Sequence, residues 1–284
     1  MPEYKYRELR PTPEAEEVFR RWLRFLNDEL TRHKEPKLRN ELVRDTLHQL
    51  LFARPHGGKL NFQLATELPF NCVELSLDPA NVTLEPEYYG DIDEEKYAER
   101  KPLIWLWQMF DRSPLALNHW LGFRFRCVLG HHIFKSLGKN VKIFHGVEFS
   151  YGYNLTIEDD CTIHKYVMLD DRGEIVIRQG TSLSDYASVY SHAHHAKNSQ
   201  DIQNRINEIG PRARVTYHAS VMAGVNVGED AILGAMAVAT RDIEPGSIAG
   251  GIPAKEIKKK NDVKEGGWDK SGNRQTSGSG GKSS

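Results

Sequence analysis

Three histidines lie close together in the segment 189–195, which reads VYSHAHH. An imidazole titrates near neutral pH, so His192, His194 or His195 could take a proton from a hydroxyl or an amine as a general base. Neutral imidazoles are also common zinc ligands. The segment therefore indicates acid–base catalysis or a metal site. The alternative is a solvent-exposed loop whose histidines have no catalytic or metal-binding role.

The sequence on both sides of these histidines has an apolar repeat with a period of six residues. A helix repeats about every 3.6 residues and a strand about every two, so six fits very short strands with a corner after each. Three such sides make one turn of a stacked triangular coil. The repeat positions are Leu137, Ile143, Phe149 and Leu155, then Ile157, Ile163, Leu169 and Ile175, then Ile177, Leu183 and Val189, then Val215, Val221, Val227 and Leu233.

Smaller residues follow many of these positions by four places, where a narrow interior has room only for a short side chain. They are Val141, Val147, Cys161, Val167, Thr181, Ala187, Ala219, Val225, Ala231 and Ala237. Val189 and Val215 are 26 residues apart, which is four periods plus two. The spacing therefore predicts a loop at 191–214, inserted into a continuing repeat, with the histidines at its start.

The first part of the chain has a different, helical pattern. Thr12 and Pro13 indicate a helix start, since a hydroxyl caps the first turn and proline fits there. Aromatic residues crowd positions 102–129, and we expect a helix there that packs on the neighbouring domain or subunit. A membrane-surface element is the alternative, since Arg124, Arg126 and Lys135 accompany the aromatic residues. These patterns predict three units. They are a helical N-terminal extension at 1–128, a β-helical domain at 129–258 and a flexible tail at 259–284.

Composition limits the function classes. The 284 residues carry 38 Lys plus Arg and 39 Asp plus Glu, a formal net charge of -1, which argues against a nucleic-acid binder. No apolar run approaches the roughly 20 residues that span a bilayer, and the N-terminus lacks a signal sequence. Cys72, Cys127 and Cys161 do not have disulfide or zinc spacing. A cytoplasmic protein with buried, reduced thiols is the expectation.

The C-terminal part of the repeat resembles the hexapeptide-repeat acyltransferases. Residues 227–237, VGEDAILGAMA, are similar to the pattern I-G-x-x-A-x-[IV]-G-A-x-[SA] of that family. Residues 240–246, TRDIEPG, and 249–255, AGGIPAK, match its T-[KR]-D-I-x-P-x and A-G-x-P-A-[KR] segments. The resemblance covers 132–258 and implies a left-handed parallel β-helix preceded here by a mostly α-helical region.

The resemblance also implies a reaction. Members of the family form homotrimers that hold acetyl-CoA in the groove between subunits, and they need no metal for acyl transfer. A histidine takes the proton of the acceptor hydroxyl or amine, which then attacks the thioester directly. The segment I-Y-T-A-x-H-P of the sugar and maltose acetyltransferases, laid on residues 189–190 without gaps, assigns the base to His194, with His192 second and His195 third.

Two further sets of residues follow from the resemblance. Arg241, Lys255 and Lys258 match basic positions that suit the phosphates of CoA, and Ala235 and Thr240 match positions that line its arm. The second set is the acceptor site for a sugar or similar small polar molecule, and we assign to it Asp170, Asp171 and His195.

Other functions remain open at this point. The γ-class carbonic anhydrases use the same β-helix with three histidines as zinc ligands. A β-helix without catalysis, acting as a scaffold or binding module, is the third hypothesis. The sequence argues against nucleotidyltransferases with a similar C-terminal β-helix, because residues 1–128 contain no glycine-rich phosphate loop that opens a βαβ unit.

Overall fold

The computed structural model describes residues 9–57 and 68–262. Its first half is helical, as predicted, with α1 at Pro13–Arg32, α2 at Pro36–Phe52, α3 at Leu68–Leu77, α4 at Glu94–Asp111 and α5 at His119–Ile133. Helix α1 begins where the sequence predicts, and the Thr12 hydroxyl accepts a hydrogen bond from the Ala15 amide at 3.3 Å. The boundary predicted after residue 128 falls inside α5.

Helices α4 and α5 pack against the first turn of the β-structure. Phe110 stacks on Phe125 with ring centroids 3.8 Å apart, and Trp107 packs edge-on against Phe149 of the first coil. The Trp107 indole donates to the Val147 carbonyl oxygen at 3.1 Å. The aromatic segment is therefore buried against the neighbouring domain, as expected from its composition, and it covers the open end of the coil.

The second half is a parallel β-solenoid of about six turns. The strands in its first three turns are β1 (Ser136–Leu137), β2 (Lys142–Ile143), β3 (Glu148–Phe149), β4 (Leu155–Ile157), β5 (Thr162–Ile163), β6 (Met168–Asp170), β7 (Glu174–Ile177), β8 (Ser182–Leu183) and β9 (Ser188–Tyr190). The later strands are β10 (His192–His195), β11 (Asn198–Asn204), β12 (Ile206–Ile209), β13 (Arg214–Val215), β14 (Ser220–Val221), β15 (Ile232–Leu233), β16 (Val238–Ala239), β17 (Ser247–Gly250) and β18 (Lys255–Lys259).

The strands form three parallel faces, and the predicted repeat positions stack in register on them. The orders are β1-β4-β7-β12, β2-β5-β8-β13-β15-β17 and β3-β6-β9-β14-β16. On the second face, Ile163 pairs with Leu183 and Leu183 with Val215. A six-residue period thus places every apolar side chain directly above another, and each fully buried one contributes about 1.5–3 kcal/mol. This architecture agrees with the predicted left-handed β-helix.

The predicted small positions are all buried inside the coil. Val141, Val147, Cys161, Val167, Thr181, Ala187, Ala219, Val225, Ala231 and Ala237 each expose 5% or less of their surface. Cys161 is a buried thiol, as expected, but Cys127 is only partly buried and Cys72 is exposed, so burial was wrong for Cys72.

The inserted segment differs from the prediction in extent. The expected loop at 191–214 is instead an antiparallel hairpin of β10 and β11, after which β12 returns to the first face and pairs with β7. Ile209 lies next to Ile177 in that pairing, so the coil resumes at 206. A count forward from Val189 misses this strand because the hairpin shifts the register, although Ile209 lies one six-residue period before Val215. We call residues 192–204 the histidine hairpin.

The chain ends its described part with β18, which pairs antiparallel with β17. The predicted tail from 259 therefore begins inside an ordered strand, and its residues from 263 onward lie outside the described part, as do residues 1–8. No helix within residues 9–57 and 68–262 has the length and apolar character needed to cross a membrane.

Candidate active site

The base of the histidine hairpin is anchored in the solenoid by Ser191. The buried Ser191 hydroxyl accepts a hydrogen bond from the Gly173 amide at 2.8 Å and donates to the Asp170 carbonyl oxygen. A Cβ atom on Gly173 would stand 2.1 Å from the Arg205 carbonyl oxygen, so only glycine allows the two chains to approach this closely. The position of the first hairpin residue is therefore set by backbone contacts on both sides.

His192, the first residue of the hairpin, forms a hydrogen bond with Asp170. The contact joins the imidazole Nδ1 to the Asp170 carboxylate, and the carboxylate is buried while the ring is about one-fifth exposed. The other carboxylate oxygen accepts from the Ser150 hydroxyl at 2.9 Å. A carboxylate at Nδ1 keeps the proton on that nitrogen, which leaves Nε2 as the atom that can accept a proton.

The other two histidines of the segment are exposed. The His194 ring lies edge-on to the His192 ring with centroids 5.3 Å apart, and the His195 Nδ1 accepts from the Lys197 amide at 3.3 Å. The structure thus brings His192 together with Asp170 and places His194 next to them, while His195 is further out along the hairpin.

Asp171 is fully buried, unlike a residue that contacts an acceptor from solvent. Its carboxylate accepts from the backbone amides of Ser150 and Tyr151 at 2.9 and 2.7 Å, and from the Asn154 amide at 3.3 Å. Burial raises the pKa of the Asp171 carboxyl to about 7, although these amide bonds oppose the rise. The acceptor-binding role predicted for Asp171 does not fit this burial, because its oxygens hold the turn at 150–154.

The residues predicted to bind CoA are all exposed, and they lie toward the C-terminal end of the solenoid. Ala235 occupies the same corner row as Tyr217, since the Met236 amide following it donates to the Tyr217 carbonyl oxygen at 2.9 Å. Thr240 and Arg241 follow β16. Lys255 and Lys258 lie on β18. The structure does not bring them into contact with the histidine hairpin.

Sequence reasoning did not identify the contribution of the N-terminal region to this site. Asp91 receives two hydrogen bonds from Arg172, at 2.7 Å from Nη2 and 3.1 Å from Nε. It also accepts from the Tyr151 hydroxyl at 2.9 Å and from the Asn204 side-chain amide at 3.0 Å. No sequence signal marks Asp91, because its partners are 60 to 113 residues away along the chain.

The histidines do not form a metal cage in this structure. Among the residues that the structure describes, no group of three or more His, Cys, Asp or Glu side chains is arranged to hold a metal ion. The Nδ1 atom of His192 is already used by Asp170.

The chain is similar in sequence to known acetyltransferases. No protein-family model matches the chain. Galactoside O-acetyltransferase from Escherichia coli strain K12 is 28% identical over 144 residues, which are 46% of this chain and 66% of that protein, a little under two thirds. Chloramphenicol acetyltransferase from Klebsiella aerogenes is 42% identical over 52 residues, which are 18% of this chain and 25% of that protein.

Two crystal structures share the fold. A maltose O-acetyltransferase from Clostridium difficile 630 superposes with a TM-score of 0.52 at 21% identity, over 60% of this chain and 90% of that one. A hexapeptide-repeat acetyltransferase from Vibrio cholerae gives 0.51 at 18% identity, over 63% and 94%. The β-solenoid fold and the six-residue repeat together confirm that the chain resembles the hexapeptide-repeat acetyltransferases. Within that class, the chain is similar in sequence to the galactoside enzyme and in fold to the maltose enzyme.

Proposed function

We propose that this chain is a CoA-dependent O-acetyltransferase that transfers an acetyl group from acetyl-CoA to a hydroxyl of a sugar or similar small polar acceptor. The observation that carries the proposal is the His192–Asp170 pair at the base of a hairpin that leaves a β-solenoid of this class. The similarity to galactoside O-acetyltransferase supports acetyl transfer, and one neighbour in fold was crystallised with acetyl-CoA.

In the proposed mechanism His192 is the general base, and His194, favoured by the sequence alignment, is not. The Nε2 atom takes the proton of the acceptor hydroxyl as its oxygen attacks the thioester carbonyl carbon. The tetrahedral intermediate then collapses, the carbon–sulfur bond breaks, and the imidazolium returns the proton to the leaving thiolate. Asp170 stabilises the imidazolium between these two steps, so we assign it to orienting the base rather than to binding the acceptor.

The acceptor enters, in this proposal, from the exposed side of the hairpin. His194 and His195 are exposed there, and both can donate to sugar hydroxyls or accept from them. His195 therefore keeps its predicted place in the acceptor site. Asp171 is left out, since its carboxylate is buried.

The activity is tested by incubating the purified protein with acetyl-CoA and a panel of mono- and disaccharides, with product masses read by mass spectrometry. We expect one added acetyl group on at least one sugar, together with release of free CoA thiol. Acetyl-CoA binding should be measured by calorimetry in parallel. Absence of both binding and product would favour the non-catalytic scaffold over the enzyme.

The exposed cations at the C-terminal end are proposed to bind the phosphates of CoA. Among the described residues the structure gives Arg241, Lys255 and Lys258 no ion pair or side-chain hydrogen bond, so their charges are available to a ligand. Replacing all three by Ala should raise the Kd for CoA about 10-fold or more, and more steeply at low salt, as charge-assisted bonds to phosphate are lost.

The matched control for these cations is Lys142→Ala, which removes an exposed lysine from β2, at the opposite end of the same face. Its Kd should equal that of the unaltered protein. An equal effect of Lys142→Ala would mean that general charge, rather than a phosphate site, governs affinity. Dephospho-CoA, which lacks the 3′-phosphate, shows which phosphate the cations contact.

We also propose that the working form is a homotrimer. Exposed rings line one corner of the solenoid, where Tyr166 stacks on Tyr186 with centroids 5.0 Å apart and Tyr186 on His218 at 4.7 Å. The predicted CoA-lining residue Ala235 continues this corner. A neighbouring subunit would cover these rings and complete the groove. A monomeric mass in solution would contradict this part of the proposal.

A further inference from the structure

We propose that Asp91, in the N-terminal helical region, is a positioning residue that holds Asp170 and the histidine hairpin in register for catalysis. The proposal rests on the function proposed above, and it assigns a role to a part of the chain for which the repeat gave none. Asp91, Tyr151, Arg172 and Asn204 are called the Asp91 cluster below.

The Asp91 carboxylate bridges the two chain segments that carry the catalytic pair. Arg172 follows Asp170 by two residues, and Asn204 is the residue of β11 that lies opposite His192 in the hairpin. Residues opposite each other in an antiparallel pair project from the same face of the hairpin. One carboxylate therefore contacts the neighbour of each member of the His192–Asp170 pair, and a shift of either segment would break one of its bonds.

The bonding capacity of this carboxylate is filled. Oδ1 accepts from Arg172 Nη2 and from the Tyr151 hydroxyl, and Oδ2 accepts from Arg172 Nε and the Asn204 amide. A carboxylate offers about four acceptor positions. The two-pronged contact with the guanidinium fixes the direction of the Arg172 side chain as well as its distance.

Arg172 depends on this partner because it is buried. It exposes 4% of its surface, and its guanidinium lies over the Tyr89 ring at 4.2 Å. Loss of the carboxylate would leave a buried positive charge without its counter-ion, which is strongly unfavourable. We expect Arg172 then to move toward water or toward Asp170, and either movement disturbs the carboxylate that orients His192.

The segment that delivers Asp91 is itself held on the solenoid. Tyr151 and Tyr153 stack with centroids 5.1 Å apart, and the Tyr153 hydroxyl accepts from the Asp93 amide at 2.9 Å. Helix α4 begins immediately after, at Glu94. The contact at Asp93 supplies a matched control, since it joins the same two parts of the protein without touching the histidine hairpin.

The test compares Asp91→Asn, Asn204→Ala and Tyr153→Phe in the full-length protein. For Asp91→Asn we expect kcat to fall about 10- to 100-fold with the KM for acetyl-CoA within about 3-fold, because displacement of a catalytic group costs turnover rather than CoA binding. Amide hydrogen exchange in residues 192–204 should become faster, with the strands β13–β16 unchanged. Tyr153→Phe should leave both hairpin exchange and kcat unchanged.

Asn204→Ala removes only the hydrogen bond between Asp91 and the histidine hairpin. Asn204 is exposed, so we expect the variant to fold. It should speed hairpin exchange and lower kcat less than Asp91→Asn does. The double variant Asp91→Asn, Asn204→Asp exchanges the two side chains, so the Asp91 cluster keeps one carboxylate and one amide. It should recover part of the kcat that Asp91→Asn loses.

The outcomes separate the two proposals. Faster hairpin exchange in Asp91→Asn supports the positioning role even if no acetylated product is found, in which case only the proposed function fails. Unchanged exchange and unchanged kcat in both Asp91→Asn and Asn204→Ala would overturn the positioning role and leave acetyl transfer standing. If Tyr153→Phe lowered kcat and hairpin protection as much as Asp91→Asn does, the positioning role would also be overturned. Such a result would point to a general loosening of the contact between the helical region and the solenoid.

Discussion

Replacing His192 by alanine should lower kcat for acetyl transfer about 10²- to 10⁴-fold, the usual contribution of a positioned general base. The Nδ1 of this ring contacts the buried Asp170 carboxylate, so its Nε2 has a defined direction and tautomer. The Kd for acetyl-CoA should stay within a few-fold, because the base acts on the acceptor. Stopped assays of thiol release, together with calorimetry, measure the two quantities separately.

The control for this prediction is His194→Ala, which removes the neighbouring exposed ring that the sequence alignment favoured as the base. We expect a change in kcat of less than about 10-fold, through loss of a contact with the acceptor. The reverse ranking, with His194→Ala inactive and His192→Ala active, would restore the alignment and reject the geometric assignment. Full activity in both variants would reject a histidine base altogether.

Replacing Asp170 by asparagine is the second change with a large expected effect, a loss in kcat of about 10²- to 10⁴-fold. The side chain keeps nearly the same size, and we expect the protein to keep its fold. An asparagine at this position meets the His192 Nδ1 in one of two ways. Its NH2 group would force the proton onto Nε2 and abolish the base, and its oxygen would lack the charge that stabilises the imidazolium. Either way the transition state loses its counter-ion. Circular dichroism and thermal melting check that the coil is intact.

Ser150→Ala is the matched control, because it removes the other hydrogen bond to Asp170 and leaves His192 untouched. We expect a small change in kcat, about 3-fold or less, because the Ser150 hydroxyl bonds Asp170 in the ground state and in the transition state alike. If Ser150→Ala and Asp170→Asn were equally damaging, Asp170 would serve to hold the strand end at Ser150 rather than to orient the base.

Much of the solenoid could be predicted from the residues alone. The rows of Ile163, Leu183 and Val215 appear in the structure as paired neighbours on one face, because a period of six leaves a parallel coil as the arrangement that stacks them. The inserted segment ends earlier than predicted. Ile209, through which β12 pairs with β7, does not fall on the six-residue count that starts at Val189, but it lies one period before Val215 and belongs to that later row.

The sequence predicted the residues of the candidate site but not which histidine contacts a carboxylate. The segment 189–195 marks a histidine cluster at a break in the repeat, yet an alignment without gaps cannot show which ring meets a carboxylate. His192 and Asp170 are 22 residues apart, on successive turns of the coil, and their contact follows from the height of one turn. Asp171, next to Asp170 in sequence, lies in the turn after β6, and its buried carboxylate accepts from the backbone amides of Tyr151 and Asn154 instead of meeting a histidine.

What the sequence by itself determined is the repeated element: its period, its small interior positions and the chemistry of the histidine segment, since these are local properties of spacing and residue type. The tertiary structure alone decided which histidine is paired and what the helical region contributes. Asp91 lies 81 residues from Arg172 and 113 from Asn204. No local pattern records contacts at such separations, because they exist only after the helices have packed against the finished coil.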